Sequence, residues 1–213
     1  MIVHISQSLN FSWNYVIALF WERYPNPYAK HVVSVDVLER KILPNNMLYT
    51  KRLITKKGVG YFPSWLRQFL LGTCEPTIEE SLIDVENRKT YVVTRNIGPL
   101  LKYACITEYC IYTPNPDTAS TSVQRTLTGN IKVNWTLRRP LESFLKRYFN
   151  SSARRSLAGY EYTCNLFTND GILSTSNQNG IQEKLKAVAR LRTQDARDFA
   201  ATVKPRVVSA ESD

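Results

Sequence analysis

Cations are the side chains of this sequence that could do chemistry, because the common catalytic motifs are missing. The chain has no G-x-S-x-G elbow, no Walker loop and no glycine-rich nucleotide turn. His4 and His31 have no evident nucleophile partner, so we expect structural roles for both. The adjacent carboxylates Glu79 and Glu80 would point to opposite faces of a strand, which argues against joint acid–base work. These residues favour a binding protein, and we predict no enzymatic activity.

The four cysteines do not form a metal-binding pattern. No C-x-x-C pair is present, and a zinc site would need a tighter cluster of ligands. Cys105 and Cys110 are five residues apart, and this odd spacing places them on opposite faces of a strand. We therefore predict free, buried thiols and no metal; the cysteines are Cys74, Cys105, Cys110 and Cys164.

The chain is basic, with 28 Lys and Arg against 18 Asp and Glu and a formal net charge of +10. This excess favours an anionic partner, which could be nucleic acid, an anionic membrane surface or an acidic ligand. No apolar run reaches the roughly 18 residues of a membrane span, so any membrane contact would be peripheral. Between residues 138 and 155 a single acid, Glu142, faces six cations: Arg138, Arg139, Lys146, Arg147, Arg154 and Arg155. Such a run is either a solvated helix face or a set of cations at the rim of a cavity.

Residues 55–71 combine a glycine hinge with a short amphipathic segment. Gly58 and Gly60 allow the chain to bend, and Pro63 and Ser64 start a helix. Its apolar side consists of Trp65, Leu66, Phe69 and Leu70, with Lys56, Lys57 and Arg67 as flanking cations. This composition is typical of an element that touches a membrane interface. The alternative is a helix that covers a sheet edge.

Three consecutive hairpins and two helices must position these side chains. Residues 11–24 have apolar positions at three- and four-residue steps, which predicts a helix with Ser12 as its N-cap and Pro25 as its stop. Together with a strand near residues 2–6, the hairpins give an antiparallel sheet of about seven strands. The predicted hairpin strands are residues 32–42 and 47–54, 75–85 and 89–97, and 103–113 and 121–133.

A long amphipathic helix is predicted at residues 138–167. At 1.5 Å per residue it would be roughly 45 Å long, enough to cross the face of a whole sheet. The space between helix and sheet can be packed core or a ligand cavity. We assign residues 1–167 to one domain, 168–180 to a polar linker and 181–213 to a helical or disordered tail. The apolar stripe comprises Leu141, Phe144, Leu145, Tyr148, Phe149, Leu157, Tyr160, Cys164 and Phe167.

Six strings of the sequence occur in order over about residues 1–167. They are FWERYPNPYAKHV at 20–32, VDVLER at 35–40, RL at 52–53, PSW at 63–65, TRN at 94–96 and ARRSLAG at 153–159. These strings resemble the PRELI family (PRELI/slowmo/Ups-type), which consists of phospholipid-transfer proteins of the mitochondrial intermembrane space. The string Arg-Tyr-Pro-Asn-Pro at 23–27 is quite specific to that family.

The resemblance implies an α+β, START-like helix-grip fold with a lipid cavity under a lid, and transfer of phosphatidic acid between mitochondrial membranes. The family's cavity cations fall on Arg23, Lys56 and Arg155. A further helix lysine falls on Arg147, with Tyr148 as the alternative register. The lid maps to residues 62–71, and its membrane-contacting residues would be Phe62, Pro63, Trp65, Leu66, Phe69 and Leu70.

The resemblance also implies partners. Members work with a small helical twin C-x9-C protein, and they touch anionic mitochondrial membranes transiently. The cargo is an acidic phospholipid, and no cofactor is expected. The turn YTPNPD at 112–117 is similar to the slowmo-type branch, so phosphatidylserine transfer by the same fold is the alternative.

A basic nucleic-acid-binding module is the rival hypothesis from a different class. It would need exposed aromatic residues interleaved with Lys and Arg on one sheet face. Most aromatic residues of this chain instead lie on apolar helix stripes or within strands, so we expect no nucleic acid partner. An enzyme that acts on lipids or steroids in the same cavity is a third hypothesis, without a visible nucleophile.

Overall fold

A seven-stranded antiparallel sheet is the frame of the computed structural model, which describes residues 1–57 and 74–169. The strand order β1-β7-β6-β5-β4-β3-β2 joins the N-terminal strand to the last one, and every neighbouring pair is antiparallel. This confirms the three predicted hairpins and the N-terminal strand. The strands are β1 Ile2–Leu9, β2 Val32–Leu43, β3 Met47–Lys57, β4 Cys74–Asp84, β5 Lys89–Asn96, β6 Ala104–Pro114 and β7 Thr121–Ile131.

Two neighbouring strands of the sheet, β3 and β4, have an unusual inward face. Strand residues alternate between the two faces, and in most sheets the inward set is apolar. In β3 the buried set instead includes Thr50 and Arg52, and in β4 it comprises Thr77, Glu79 and Ser81 together with Ile83. Polar groups buried in this way need partners inside the protein or from a ligand.

The second helix, α2, covers Trp135–Asn169 and is 35 residues long. It includes the whole predicted helix of residues 138–167 and extends it by a few residues at each end. Leu141, Leu145, Phe149, Tyr160 and Cys164 are buried, as the predicted stripe requires. A long C-terminal helix on one curved antiparallel sheet is the START-like helix-grip arrangement that the resemblance implies.

The first helix, α1, is shorter than predicted. It covers Trp13–Ala18 only, so the prediction of a helix over residues 11–24 is wrong at its C-terminal half. Hydrogen bonds of the 3₁₀ type follow, from Phe20 N–H to the Ile17 carbonyl and from Glu22 N–H to the Leu19 carbonyl. They turn the chain ahead of Pro25, where a helix could not continue. Ser12 is the N-cap residue, as predicted, and its side chain makes no capping hydrogen bond.

Two separate apolar clusters fill the space between helix and sheet. The larger one packs α1 against Val123, Tyr112 and the C-terminal half of α2, including Tyr160. The smaller one packs Leu141 and Leu145 of α2 against Ala104 at the start of β6 and Ile131 at the end of β7. Short 3₁₀ turns complete the fold at Pro27–Ala29, Pro44–Asn46 and Pro99–Lys102.

No helix in the described ranges combines the length and the apolarity that a membrane span requires. The predicted lid at residues 62–71 and the predicted tail at 181–213 lie outside the described residues.

Candidate functional site

A polar cavity lies between the inner face of the sheet and the long helix. On the helix side Ser152, Arg155 and Ser156 line it, one turn of α2 that carries small or charged residues between the two apolar clusters. The space open to the centres of water molecules is about 80 Å³. One water needs roughly 10–15 Å³ of such space, so the cavity has room for a few waters or one phosphate-sized group. Its lining is more polar than the apolar cavity that sequence reasoning suggests.

Arg23, Glu79 and Arg52 form a buried ion triad at one wall. Glu79 Oε2 accepts a hydrogen bond from Arg23, and Glu79 Oε1 accepts one from Arg52 Nε at 3.0 Å. Burial disfavours charge on all three, but the two guanidinium groups hold the pKa of Glu79 below its ordinary value. The carboxylate in turn keeps the pKa of the buried Arg23 above its own ordinary value. The Arg23 guanidinium also lies 4.3 Å from the centre of the Phe20 ring, a cation–π contact.

Arg125 of β7 forms a second buried pair in the same cavity. Its Nη1 donates to Glu108 Oε1 at 2.9 Å, and its Nη2 donates to Ser156 Oγ at 3.2 Å. Cys110 and Tyr112 are both within electrostatic reach of Arg23 and Arg125. Arg23 and Arg125 therefore both lie close to residues 110–112 of β6.

Lys56, Arg155 and His31 lie at a less buried part of the cavity. Burial lowers the pKa of His31 to about 4, and the positive charges of Lys56 and Arg155 contribute to this lowering. Both cations must therefore be close to the imidazole. At neutral pH His31 is uncharged and the local positive potential comes from the Lys and Arg side chains.

Two buried arginines of the cavity lining, Arg23 and Arg125, each have an N–H group without an acceptor among the described residues. Neither Arg23 Nε nor Arg125 Nε has a hydrogen-bond partner within the described part of the chain. A buried donor left unpaired costs about 1–3 kcal/mol, and more when the group is charged. Two such donors in one cavity favour a ligand that supplies anionic oxygens, because charge-assisted hydrogen bonds from arginine to phosphate or carboxylate are strong.

The structure brings three of the predicted headgroup cations together. Arg23, Lys56 and Arg155 all line this cavity, although they come from three distant parts of the chain. Arg147 is not part of the lining: it is exposed and donates to Ser143 Oγ at 3.1 Å. The reason is helical periodicity, since the turn that precedes Ser152 presents Tyr148 to the same side. Tyr148, the alternative register, is not among the lining residues either.

Sequence reasoning missed four charged residues of the cavity region, namely Arg52, Glu79, Glu108 and Arg125. The alternation of residues along a strand could have indicated which side chains point inward. Arg125 alternates with Val123 and Leu127, both buried, and this parity places it on the inner face. Glu79 and Glu80 do point to opposite faces as predicted, with Glu80 bound to Tyr49 on the outside.

The cysteines are all free. Cys110 and Cys164 are buried, whereas Cys74 and Cys105 are only half-buried, so the prediction of buried thiols is confirmed for two of the four. Within residues 1–57 and 74–169, no three His, Cys, Asp or Glu side chains cluster in a way that could hold a metal ion.

The seven-stranded sheet, the long helix and the cation-lined cavity between them define a START-like helix-grip protein. A sequence model of the PRELI-like family matches residues 14–170, so the chain belongs to the PRELI-like family. It is 32% identical to PRELI domain-containing protein 1, mitochondrial, of Gallus gallus over 154 residues, which cover 70% of each chain. It is 34% identical to the Protein ups1 homolog of Schizosaccharomyces pombe over 153 residues, 70% of this chain and 88% of that one. The match to Protein UPS1, mitochondrial, of Saccharomyces cerevisiae is 30% and covers 67% and 81%.

Solved structures share the fold alone. The aromatase/cyclase Zhui from a Streptomyces species superposes with a TM-score of 0.53 at 9% identity, covering 79% of this chain and 96% of that one. The protein TTHA0849 from Thermus thermophilus gives a TM-score of 0.52 at 17% identity, covering 78% and 98%.

Proposed function

We propose that this protein carries one acidic phospholipid at a time between mitochondrial membranes, and that its preferred cargo is phosphatidic acid. The observation that carries the proposal is the pair of unpartnered N–H groups on Arg23 and Arg125, both buried in one cavity of the described structure. A phosphate entering this space would accept from both donors and supply the acceptors that they otherwise lack.

The charge of the cavity supports a doubly charged headgroup. Its lining contains four cations (Arg23, Lys56, Arg125 and Arg155) and two carboxylates (Glu79 and Glu108), an excess of two positive charges. His31 adds none at neutral pH, because its pKa is about 4. A phosphomonoester carries about −1.5 to −2 charges at pH 7, which matches that excess.

The acyl chains are the larger obstacle to crossing water. Exposing them costs about 0.8 kcal/mol for each methylene, so bare transfer of a two-chain lipid is too slow to be useful. The described cavity accommodates a headgroup but not two chains. We therefore infer that loading separates the long helix from the sheet, and that the predicted lid, residues 62–71, covers the chains. Phe62, Pro63, Trp65, Leu66, Phe69 and Leu70 remain the predicted membrane-contacting residues of this cover.

An exposed tryptophan supports contact with a membrane surface. Trp135, the first residue of α2, is 81% exposed. It follows the end of β7 at the same end of the sheet where Lys57 pairs with Cys74, on either side of residues 58–73. Arg138 and Arg139 are exposed on the next turn. Aromatic residues beside cations are typical of protein surfaces that bind anionic lipid interfaces.

We place this activity in the mitochondrial intermembrane space, in keeping with relatives whose names include mitochondrial. A small helical twin C-x9-C protein is the proposed partner there. The protein needs no cofactor in this scheme and catalyses no covalent reaction; the phospholipid is cargo.

Phosphatidylserine is the second candidate cargo. The pair of Glu108 and Arg125 offers one acceptor and one donor inside the cavity, which suits a headgroup with an ammonium and a carboxylate. The turn at residues 112–117, similar to the phosphatidylserine branch, favours the same cargo.

Transfer between two vesicle populations tests the proposal. Donor vesicles would contain labelled phosphatidic acid, phosphatidylserine or phosphatidylglycerol, and acceptor vesicles none. We expect the fastest transfer for phosphatidic acid, and native mass spectrometry of the recovered protein should show one bound phospholipid. The proposal would be contradicted if the protein failed to raise the transfer rate of any of the three lipids above the rate without protein. Tight binding of an oligonucleotide, weakened steeply by salt, would instead support the nucleic-acid hypothesis.

A further inference from the structure

The buried pair of Arg125 and Glu108 suggests how the cavity distinguishes one headgroup from another. We propose that Arg125 is a specificity-determining residue that contacts the free end of the headgroup. It would select phospholipids whose headgroup ends in an anionic group, either a phosphomonoester or a carboxylate. This inference rests on the proposed function, since it assigns a residue to the choice of cargo.

Arg125 is buried more deeply than the two other cations Lys56 and Arg155 of the cavity lining. Arg125 is 7% exposed and extends from the last strand, whereas Lys56 and Arg155 are only half-buried. The phosphate of phosphatidic acid is itself the free end and would reach Arg125, whereas in a larger headgroup the phosphate would lie nearer Lys56 and Arg155 and the free end would lie innermost. That end would meet the guanidinium of Arg125, which always stays protonated.

The hydrogen bonds of Arg125 fix its orientation and leave its Nε–H group without an acceptor among the described residues. Nη1 is bound to Glu108 and Nη2 to Ser156, so the guanidinium cannot turn away from the cavity without breaking both. Nε is buried and has no partner among the described residues, so a ligand atom could satisfy it. An anionic oxygen would satisfy it, and a glycerol hydroxyl would do so only weakly. An ammonium group cannot accept from this N–H group, so the ammonium of phosphatidylserine would have to pair with Glu108 instead.

Competitive loading of the whole protein tests this assignment. The wild-type protein would be incubated with vesicles that contain equal amounts of phosphatidic acid, phosphatidylserine and phosphatidylglycerol, and the bound lipid would be identified by native mass spectrometry. Phosphatidylglycerol is the informative competitor, because it is anionic but ends in neutral glycerol. We expect wild-type protein to prefer acid-ended lipids, and Arg125→Met to reduce that preference about tenfold, the effect of one hydrogen bond to a charged group.

Two further variants keep the result interpretable. Arg125→Met leaves Glu108 without its cation, so Glu108→Gln combined with Arg125→Met removes the charge of both and protects the fold. Arg154→Met, an exposed cation on the same helix as Ser156, should change nothing. The acid-ended lipid whose loading falls most, phosphatidic acid or phosphatidylserine, identifies which free end Arg125 contacts.

The outcomes separate this inference from the proposed function. If the folded variants keep the wild-type ratio of acid-ended lipid to phosphatidylglycerol, Arg125 does not determine specificity, although lipid transfer stands. If wild-type protein takes up no phospholipid at all, the proposed function fails and the assignment of Arg125 fails with it.

Discussion

Glu79 holds Arg23 inside the cavity by a hydrogen bond between residues that are 56 positions apart in the chain. The contact ties the segment after α1 to the middle of β4. Because Arg52 occupies the other oxygen of the same carboxylate, Glu79 is fully engaged and cannot repel an anionic ligand strongly. The triad therefore keeps one net positive charge at the wall of the cavity.

The two arginines of the triad should have different roles, Arg23 in binding the ligand and Arg52 in holding Glu79. Arg23 lines the cavity, whereas Arg52, which binds the same carboxylate, is not among its lining residues. We expect Arg23→Met to lower phospholipid loading at least tenfold, and Arg52→Met to leave the loading of the folded fraction nearly unchanged. Both should lower the free energy of unfolding, by at most about 3–5 kcal/mol, because Glu79 keeps one cation in each variant. Loading by native mass spectrometry and urea unfolding measure the two effects. Equal loss of loading in both variants would mean that only the integrity of the triad matters.

The sheet and the long helix could be predicted because their signals are local. Turn residues such as Pro44 and Asn45 separate β-branched runs, and the apolar stripe of α2 has a clear helical period. The end of α1 was not predictable, because the stripe continues through Phe20 while tertiary packing turns the chain there.

The cavity, by contrast, depends on contacts between distant residues. Arg52 and Glu79 are direct cross-strand partners in β3 and β4. The long connection of residues 58–73 leaves the register of that pairing undetermined by any turn rule. Arg125 meets Ser156 across the gap between sheet and helix, 31 residues later in the chain. Arg23, Lys56 and Arg155 were found through the family resemblance, since no spacing rule joins them.

Gly159 of α2 allows the helix to approach the segment after α1. A Cβ atom at this position would lie 2.7 Å from Asn26 Oδ1. Asn26 in turn donates to the Arg23 carbonyl at 2.6 Å and accepts from Tyr28 N–H at 2.9 Å. We expect Gly159→Ala to destabilise the protein by about 1–3 kcal/mol and to weaken loading, because Asn26 must move and Arg23 with it. Thermal unfolding and the loading assay check this.

Gly129→Ala is the matched control for that substitution. Its nearest contact would be Met1 Cε at 3.0 Å, the end of a flexible side chain that can turn aside. Its effect on stability should be within about 0.5 kcal/mol. If Gly159→Ala is tolerated equally well, the approach between the helix and Asn26 is looser than the structure indicates.

His31 should make stability depend on pH below neutrality. Its pKa in the folded protein is about 4, because burial and the charges of Lys56 and Arg155 disfavour the imidazolium. The unfolded chain binds the proton near pH 6.5, so this contribution to the free energy of unfolding is fully present above that pH and is lost as the pH falls towards 4. We expect His31→Gln to flatten the pH dependence of urea-unfolding stability between about pH 7.5 and 5. His4→Gln is the matched control for the loss of an imidazole, since His4 is exposed and bound to Thr126 Oγ1 away from the cavity lining.

An anionic headgroup should shift the same titration. A phosphate between Lys56 and Arg155 would offset their charge and raise the pKa of His31. NMR titration of the imidazole, with and without bound phosphatidic acid, measures this directly. An unchanged pKa on loading would argue that the phosphate does not lie near these two cations.

Trp135 should contribute to membrane binding independently of the headgroup site. Ile42 offers a matched control, since it is 76% exposed but lies at the opposite end of the sheet, near the end of β2. We expect Trp135→Ala to weaken co-sedimentation with vesicles rich in phosphatidic acid by about tenfold, which corresponds to about 1.4 kcal/mol of lost interfacial burial. Ile42→Ala should bind as wild type does. Both variants should retain the wild-type unfolding temperature, because both side chains are largely exposed. If Trp135→Ala keeps full vesicle binding but loses binding of a twin C-x9-C protein, the tryptophan belongs to a protein interface and the membrane assignment is wrong.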